Sequence, residues 1–167
     1  MTFLYGITMI QLNFDQATFQ QNKAISMTPD NKIELHIPSI MGFEKVAMEC
    51  AATTAKNMGF TEDRIEDLKT AVAEACLNAI EHGNRMDTNT KVGITLTIEE
   101  SKLQVSVKDE GKGLREIAAP DIENKMEGKE KTRGWGIFLI KNLVNEVTFE
   151  PDPEGGNIVR MIIYLDK

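Results

Sequence analysis

Two runs of strict apolar alternation stand back to back in the middle of the chain. Val92, Ile94, Leu96 and Ile98 alternate with polar positions, and Leu103, Val105 and Val107 do the same beyond Glu99 to Lys102. A period of two places successive side chains on opposite faces of a strand, so the pattern predicts a β-hairpin with one face buried. A half-buried sheet needs a cover, and the sequence supplies helical periods on either side of the hairpin. Phe43, Val46, Ala47, Cys50, Ala51, Thr54 and Met58 recur at helical spacing before a stop at Gly59. Thr61 is placed as the N-cap of a second helix, with Glu62 and Asp63 in its first turn. That helix carries Ile65, Leu68, Val72, Cys76 and Ala79 on one stripe and is expected to run to about His82, ended by Gly83 and Asn84.

The remaining elements fall around this centre. Ile33, Leu35 and Ile37 alternate up to Pro38 and predict an earlier strand. Residues 110–133 hold glycine, proline and many charges without apolar period, and read as a long loop or mobile lid. Ile137, Ile140, Leu143 and Val144 predict a short helix after Gly136; Val147 and Phe149 open a strand; Pro151 to Gly156 make a turn; Ile158 to Leu165 form a last strand. The order implies an α/β (α+β) sandwich, with helices packed on one face of a mixed β-sheet.

Composition bounds the class. With 167 residues and 41% hydrophobic content, one domain over residues 31–167 can bury a substantial core. Residues 1–30 read as an appendage, a loosely ordered tail with a short helix around Phe14 to Gln21. The formal net charge of −7 counts against direct nucleic-acid binding and against an anionic membrane surface. No apolar run approaches the ~20 residues that cross a bilayer, and the N-terminus has no basic leader, so a cytoplasmic protein is expected. Cys50 and Cys76 sit in apolar helical patterns without metal-type spacing and read as buried free thiols.

The chemistry concentrates in three boxes. In Glu74-Ala75-Cys76-Leu77-Asn78-Ala79-Ile80-Glu81-His82-Gly83-Asn84, helical geometry turns Glu74, Asn78 and Glu81 away from the packed stripe. A carboxylate and an amide one turn apart can poise a base beside a hard cation, although a solvated helix face has the same pattern. Asp109-Glu110-Gly111-Lys112-Gly113 follows an apolar strand directly. An Asp there can accept a hydrogen bond from the exocyclic amine of a base, and glycines let the backbone approach a ligand. Arg133-Gly134-Trp135-Gly136-Ile137 puts glycines just before a helix, where free N–H groups suit phosphates. Neither glycine cluster is a Walker P-loop or has the spacing of a dinucleotide fingerprint. Lys129, Lys131 and Arg133 carry charge that can meet phosphates or simply be solvated, and Trp135 reads as a core or hinge aromatic.

In this order the three boxes resemble the GHKL ATPase superfamily over about residues 32–165, and most closely its small bacterial anti-sigma factor serine/threonine kinases. The resemblance implies a Bergerat-type ATP-binding fold using ATP and Mg²⁺. It implies Glu74 as general base toward a substrate hydroxyl and Asn78 as Mg²⁺ ligand. It implies Asp109 as reader of the adenine amine, Gly111 and Gly113 as shapers of the adenine pocket, and Gly134 and Gly136 as the phosphate cradle. The partners implied are a sigma factor and a STAS-type anti-anti-sigma protein, and a homodimer is compatible with it. Two other functions share the fold: a non-catalytic ATP-binding module that sequesters a partner, and a histidine-kinase-like ATPase domain. The chain departs from the family pattern at Asn157, which follows Gly155-Gly156 where Thr is usual, and at Ile137, where Leu is common.

Overall fold

The computed structural model describes residues 31–111 and 135–165. The expected N-terminal appendage with its short helix, the lid from residue 112 onward, the lid cations Lys129, Lys131 and Arg133, and both Gly113 and Gly134 lie outside the described residues. The described elements run β1 (Lys32–Pro38), α1 (Glu44–Met58), α2 (Glu62–Asn78), a π-helical turn (Ala79–Gly83), β2 (Lys91–Glu99), β3 (Lys102–Lys108), α3 (Trp135–Leu143), β4 (Glu146–Pro151) and β5 (Asn157–Tyr164).

The strands form a five-stranded sheet in the order β1-β2-β3-β5-β4. Every pairing among the described residues is antiparallel, which corrects the expected mixed sheet. Direction follows from the connections. Two helices stand between β1 and β2, so the chain reverses twice before β2 and comes back against β1. The connection through α3 does bring β4 parallel to β3, but β5 inserts between them and is antiparallel to both.

Register aligns the apolar positions into rows. Leu35, Ile94, Val107, Val159 and Phe149 lie abreast across the sheet, and so do Ile33, Leu96, Val105, Met161 and Val147. The centre of these rows is buried under Leu68, Val72 and Cys76 of α2 and Ile140 of α3. Each such aliphatic side chain removed from water contributes about 1.5–3 kcal/mol. The alternate positions Thr95, Gln104, Ser106 and Lys108 are half-buried on the other face. Helices therefore cover one face, as the alternation required.

The helices differ in how well their apolar stripes were legible. On α2, Ile65, Leu68, Val72 and Cys76 are all buried, and so is Ala79 at the start of the π-turn. On α1, the buried positions are mostly alanines (Ala47, Ala51, Ala52, Ala55), whose small side chains allow a close approach to α2. Phe43 and Val46 are 42% and 53% exposed, so they lie at the rim rather than in the core. Gly59 ends α1 at φ +89°, where a side chain would be strained, and its N–H bonds back to Lys56 O. Thr61 holds the extended N-cap backbone of α2, but its hydroxyl makes no capping bond; the acids Glu62 and Asp63 occupy the first turn. Both cysteines are free thiols; Cys50 is half-buried, and burial pushes the Cys76 thiol up to about 12.

The second helix does not run as one α-helix to His82. Beyond Asn78 it widens into a π-turn, closed by Asn84 N–H donating to Ala79 O at 2.8 Å. Arg85 and Met86 then sit at φ +53° and +58°, left-handed backbone that non-glycine residues rarely adopt. The widened turn has a consequence at the site, because it carries Gly83 and Asn84 against the end of β3.

Candidate active site

Asp109 lies one residue beyond β3, at the end of the core-facing row Leu103, Val105, Val107. Asn157 lies at the start of β5, at the end of the row Ile163, Met161, Val159. The β3–β5 register, continued one step past Val107 and Val159, sets these two polar residues side by side, and Asp109 N–H donates to Asn157 O at 3.0 Å. Two hydrophobic rows thus terminate in an adjacent carboxylate and amide on the helix-covered face.

The Asp109 carboxylate is buried and aimed by its neighbours. Its Oδ1 accepts from Gly111 N–H at 2.9 Å, Asn157 N–H at 3.2 Å and Asn157 Nδ2 at 3.3 Å. Among the described residues, its Oδ2 accepts from Asn157 Nδ2 alone, at 3.1 Å. Three glycines wall the carboxylate in. A Cβ on Gly83 would stand 2.4 Å from Asp109 Cγ, one on Gly111 would stand 2.9 Å from Oδ1, and one on Gly156 would meet the Asp109 carbonyl oxygen. At these three positions only glycine fits against the group, and Oδ2 keeps acceptor capacity beyond its bond from Asn157. A base carrying an amine suits that acceptor.

A buried amide holds the turn after Asp109 in place. Asn84 Oδ1 accepts Glu110 N–H at 2.7 Å, while its Nδ2 donates to Ser39 Oγ at 2.8 Å and to Lys91 O at 2.9 Å. Ser39 in turn pairs with Thr90 Oγ1 at 2.9 Å. One side chain therefore ties the π-turn to the end of β1, the start of β2 and the loop leaving β3. Sequence reasoning took Gly83 and Asn84 only as a helix stop; the signal missed was a polar residue, followed by no apolar period, immediately after a glycine that the helix could have done without.

Glu74 and Asn78 lie one turn apart on α2, half-buried, as their helical phase required. Gly136, in the first turn of α3, is buried against them: a Cβ there would stand 2.6 Å from Glu74 Oε2 and 3.2 Å from Asn78 Nδ2. The structure thus brings the first and third sequence boxes into contact. The second box joins through Gly83, nine residues after Glu74, which at 1.5 Å per residue is roughly 13–14 Å along the helix. The carboxylate–amide pair and Asp109 accordingly lie against the same stretch of chain, the second half of α2 and its π-turn. His82 is exposed at the helix end beside Glu81, 3.9 Å away. Trp135 is 63% exposed and edge-on to Phe138, so it is not a core aromatic.

A model of the histidine kinase-like ATPase domain matches residues 43–163, which takes in Glu74, Asn78, Asp109, Gly136 and Asn157. The chain belongs to this ATPase family, of the GHKL type. Among its relatives, the serine-protein kinase RsbW of Bacillus subtilis is 32% identical over 80% of this chain and 86% of its own length. The anti-sigma F factor of Bacillus velezensis is 30% identical over 82% of this chain and 94% of its own. RsbW of Halalkalibacterium halodurans is 31% identical over 81% and 84%. In fold, the chain is similar to the crystal structure of the RsbU and RsbW domains of a Mycobacterium tuberculosis protein, with a TM-score of 0.57 at 19% identity, covering 81% of this chain and 33% of that longer one. No described helix is long and apolar enough to cross a membrane.

Proposed function

We propose that this protein is an ATP- and Mg²⁺-dependent serine/threonine protein kinase that acts as an anti-sigma factor and phosphorylates a STAS-type anti-anti-sigma protein. The relatives named as serine-protein kinases and anti-sigma factors support the class. The observation that carries the chemistry is the contact of Gly136 with Glu74 and Asn78. It sets a helix N-terminus, which favours phosphate, against a carboxylate able to take a proton and an amide oxygen able to bind a metal.

Each residue then has one task. Asp109 Oδ2 accepts from the adenine amine, with Gly83, Gly111 and Gly156 packed against Asp109. Gly136 and, by resemblance, Gly134 receive the phosphates, and Gly113 borders the base. Asn78 would hold Mg²⁺ through its amide oxygen, the kind of donor a hard cation takes. The metal's contribution is to neutralise charge on the phosphates as the terminal group transfers. Glu74 accepts the proton of the substrate Ser or Thr hydroxyl as that oxygen bonds to the γ-phosphorus and the bond to the β,γ-bridging oxygen breaks, leaving ADP.

Incubation with γ-labelled ATP and the partner protein, followed by acid and alkali treatment, tests this. A phosphoprotein stable to acid and lost in alkali is expected. Acid-labile label would assign a histidine kinase instead, and nucleotide-dependent partner capture without label would assign a binding module.

A further inference from the structure

Arg64 carries its charge at the wrong end of its own helix. It is the third residue of α2, where the helix dipole is positive and where the acids Glu62 and Asp63 are favourably placed. Its guanidinium is turned to the opposite end of another helix. Nη1 donates to the carbonyl oxygen of Leu143, the last residue of α3, at 3.2 Å and to Asp67 Oδ2 at 3.0 Å, while Nη2 donates to Asn145 Oδ1 at 2.6 Å. The carbonyls of a final helical turn lack partners within the helix and form its negative end, so the cation misplaced on α2 is well placed for α3. Asn145 Oδ1 also accepts Tyr164 N–H at 3.0 Å, and Asn145 N–H donates to Ile162 O at 3.0 Å. One guanidinium therefore joins α2, α3 and β5.

We infer that Arg64 is a positioning residue: by fixing the C-terminal end of α3 it sets where the N-terminal end stands against Glu74 and Asn78. The inference rests on the transfer reaction proposed above for its consequence in rate, but not for its geometry. α3 touches α2 at both ends, Leu143 at Arg64 and Gly136 at Glu74 and Asn78. Seven residues of helix separate these contacts, roughly 10–11 Å. Ile140, between them, is fully buried. A short helix held at its middle by packing and at one end by a guanidinium fork turns about the buried residue when the fork is lost, and the far end moves with it. That far end is where closeness matters, since a Cβ on Gly136 would stand 2.6 Å from Glu74 Oε2. Misplacing reacting groups by about 1 Å costs up to ~10²-fold in rate.

Trp135, the only tryptophan of the chain, begins α3 and so reports on the end of the helix far from Arg64. The test compares wild type, Arg64→Gln, Arg64→Lys and Leu103→Val, a core truncation on β3 that controls for lost stability, at a temperature where circular dichroism shows all of them folded. Two quantities are read: the anisotropy of Trp135 fluorescence without nucleotide, and the single-turnover rate of transfer from saturating ATP to the partner protein. Arg64→Gln is expected to lower the anisotropy and to slow transfer by about ten- to hundredfold. Arg64→Lys keeps the charge and loses the fork, so it should fall between Arg64→Gln and wild type. Leu103→Val should match wild type in both. Wild-type anisotropy in Arg64→Gln overturns the inference whatever the rate, because the clamp then does not reach the far end of α3; should that variant not fold, Arg64→Lys is read by the same criterion. Lowered anisotropy with transfer at the wild-type rate also overturns it, as does a Leu103→Val protein that reproduces both changes. If wild type transfers no phosphate, the kinase reading falls by itself, and the anisotropy alone decides whether Arg64 holds α3 in place.

Discussion

Gly136 of α3 lies so close to Glu74 of α2 that a single methyl group on it would stand 2.6 Å from the carboxylate oxygen. The group that would have to give way is the far end of a flexible side chain, not backbone. Gly136→Ala should therefore cost little stability, since Ala is favoured over Gly by ~1 kcal/mol within a helix. Its effect should fall on Glu74, which must rotate away from its place beside Asn78. A melting temperature within a few degrees of wild type, together with a transfer rate lowered at least about tenfold, is expected. Both are read from a thermal scan and a phosphotransfer assay on the same preparation; an unchanged rate would detach Gly136 from the catalytic end.

The glycine pair before β5 offers a contrast of kinds. Gly155 and Gly156 are both left-handed, at φ +109° and +87°, but only a Cβ on Gly156 would collide, with the carbonyl oxygen of Asp109; around Gly155 there is open space. Gly155→Ala should cost about 1–2 kcal/mol of backbone strain. Gly156→Ala should cost several times that, because the Asp109 backbone must shift as well. Urea denaturation midpoints of the two variants measure the difference, and equal midpoints would contradict the tight packing at Asp109.

Asn84 should couple stability to nucleotide affinity. Asn84→Ala leaves the Glu110 N–H and Lys91 carbonyl without their side-chain partner and the Ser39 hydroxyl with Thr90 alone. Each unmet buried group costs ~1–3 kcal/mol, so a loss of at least about 2 kcal/mol is expected by denaturant unfolding. ATP affinity should weaken as the Glu110-Gly111 turn loosens around Asp109. Weakened folding with unchanged ATP binding would confine Asn84 to a structural role.

Cys76 gives a pH prediction. Burial raises its thiol from the ordinary 9.0 to about 12, so the folded protein keeps the proton that the unfolded chain releases. The group's contribution to stability is complete below the unfolded pKa and declines as pH rises from about 9 toward 12, by up to ~1.4 kcal/mol per pH unit. Cys76→Ser or Cys76→Ala should flatten that alkaline decline in urea melts at successive pH values; an identical slope would remove Cys76 as its source.

Much of this was legible in the sequence, for identifiable reasons. Alternation at Leu103, Val105 and Val107 carried through to Asp109 and set a charge at the end of a buried row. Helical phase put Glu74 and Asn78 off the packed stripe of α2. Three things were not legible. Strand direction depends on β5 inserting between β3 and β4, a non-local pairing that no local period encodes. Periodicity tells which residues share a face but not where the cover ends, so Phe43 and Val46 read as core and lie at its rim. The π-turn has no propensity signature; it exists because Gly83 and Asn84 must reach Asp109 and Glu110, residues some 26 positions away.

Glu74 is the residue on which the proposed phosphoryl transfer depends. Asn78→Ala should weaken Mg²⁺-ATP binding, since a metal-binding oxygen is lost. Glu74→Gln is nearly isosteric and should leave ATP affinity close to wild type while removing the proton acceptor. The decisive measurement is the single-turnover rate of phosphoryl transfer from saturating ATP to a serine of the partner protein, wild type against Glu74→Gln. A fall of ~10²- to 10⁴-fold at unchanged nucleotide affinity is expected for loss of a general base. Transfer at the wild-type rate would contradict the assignment of Glu74 as base and with it the proposed mechanism.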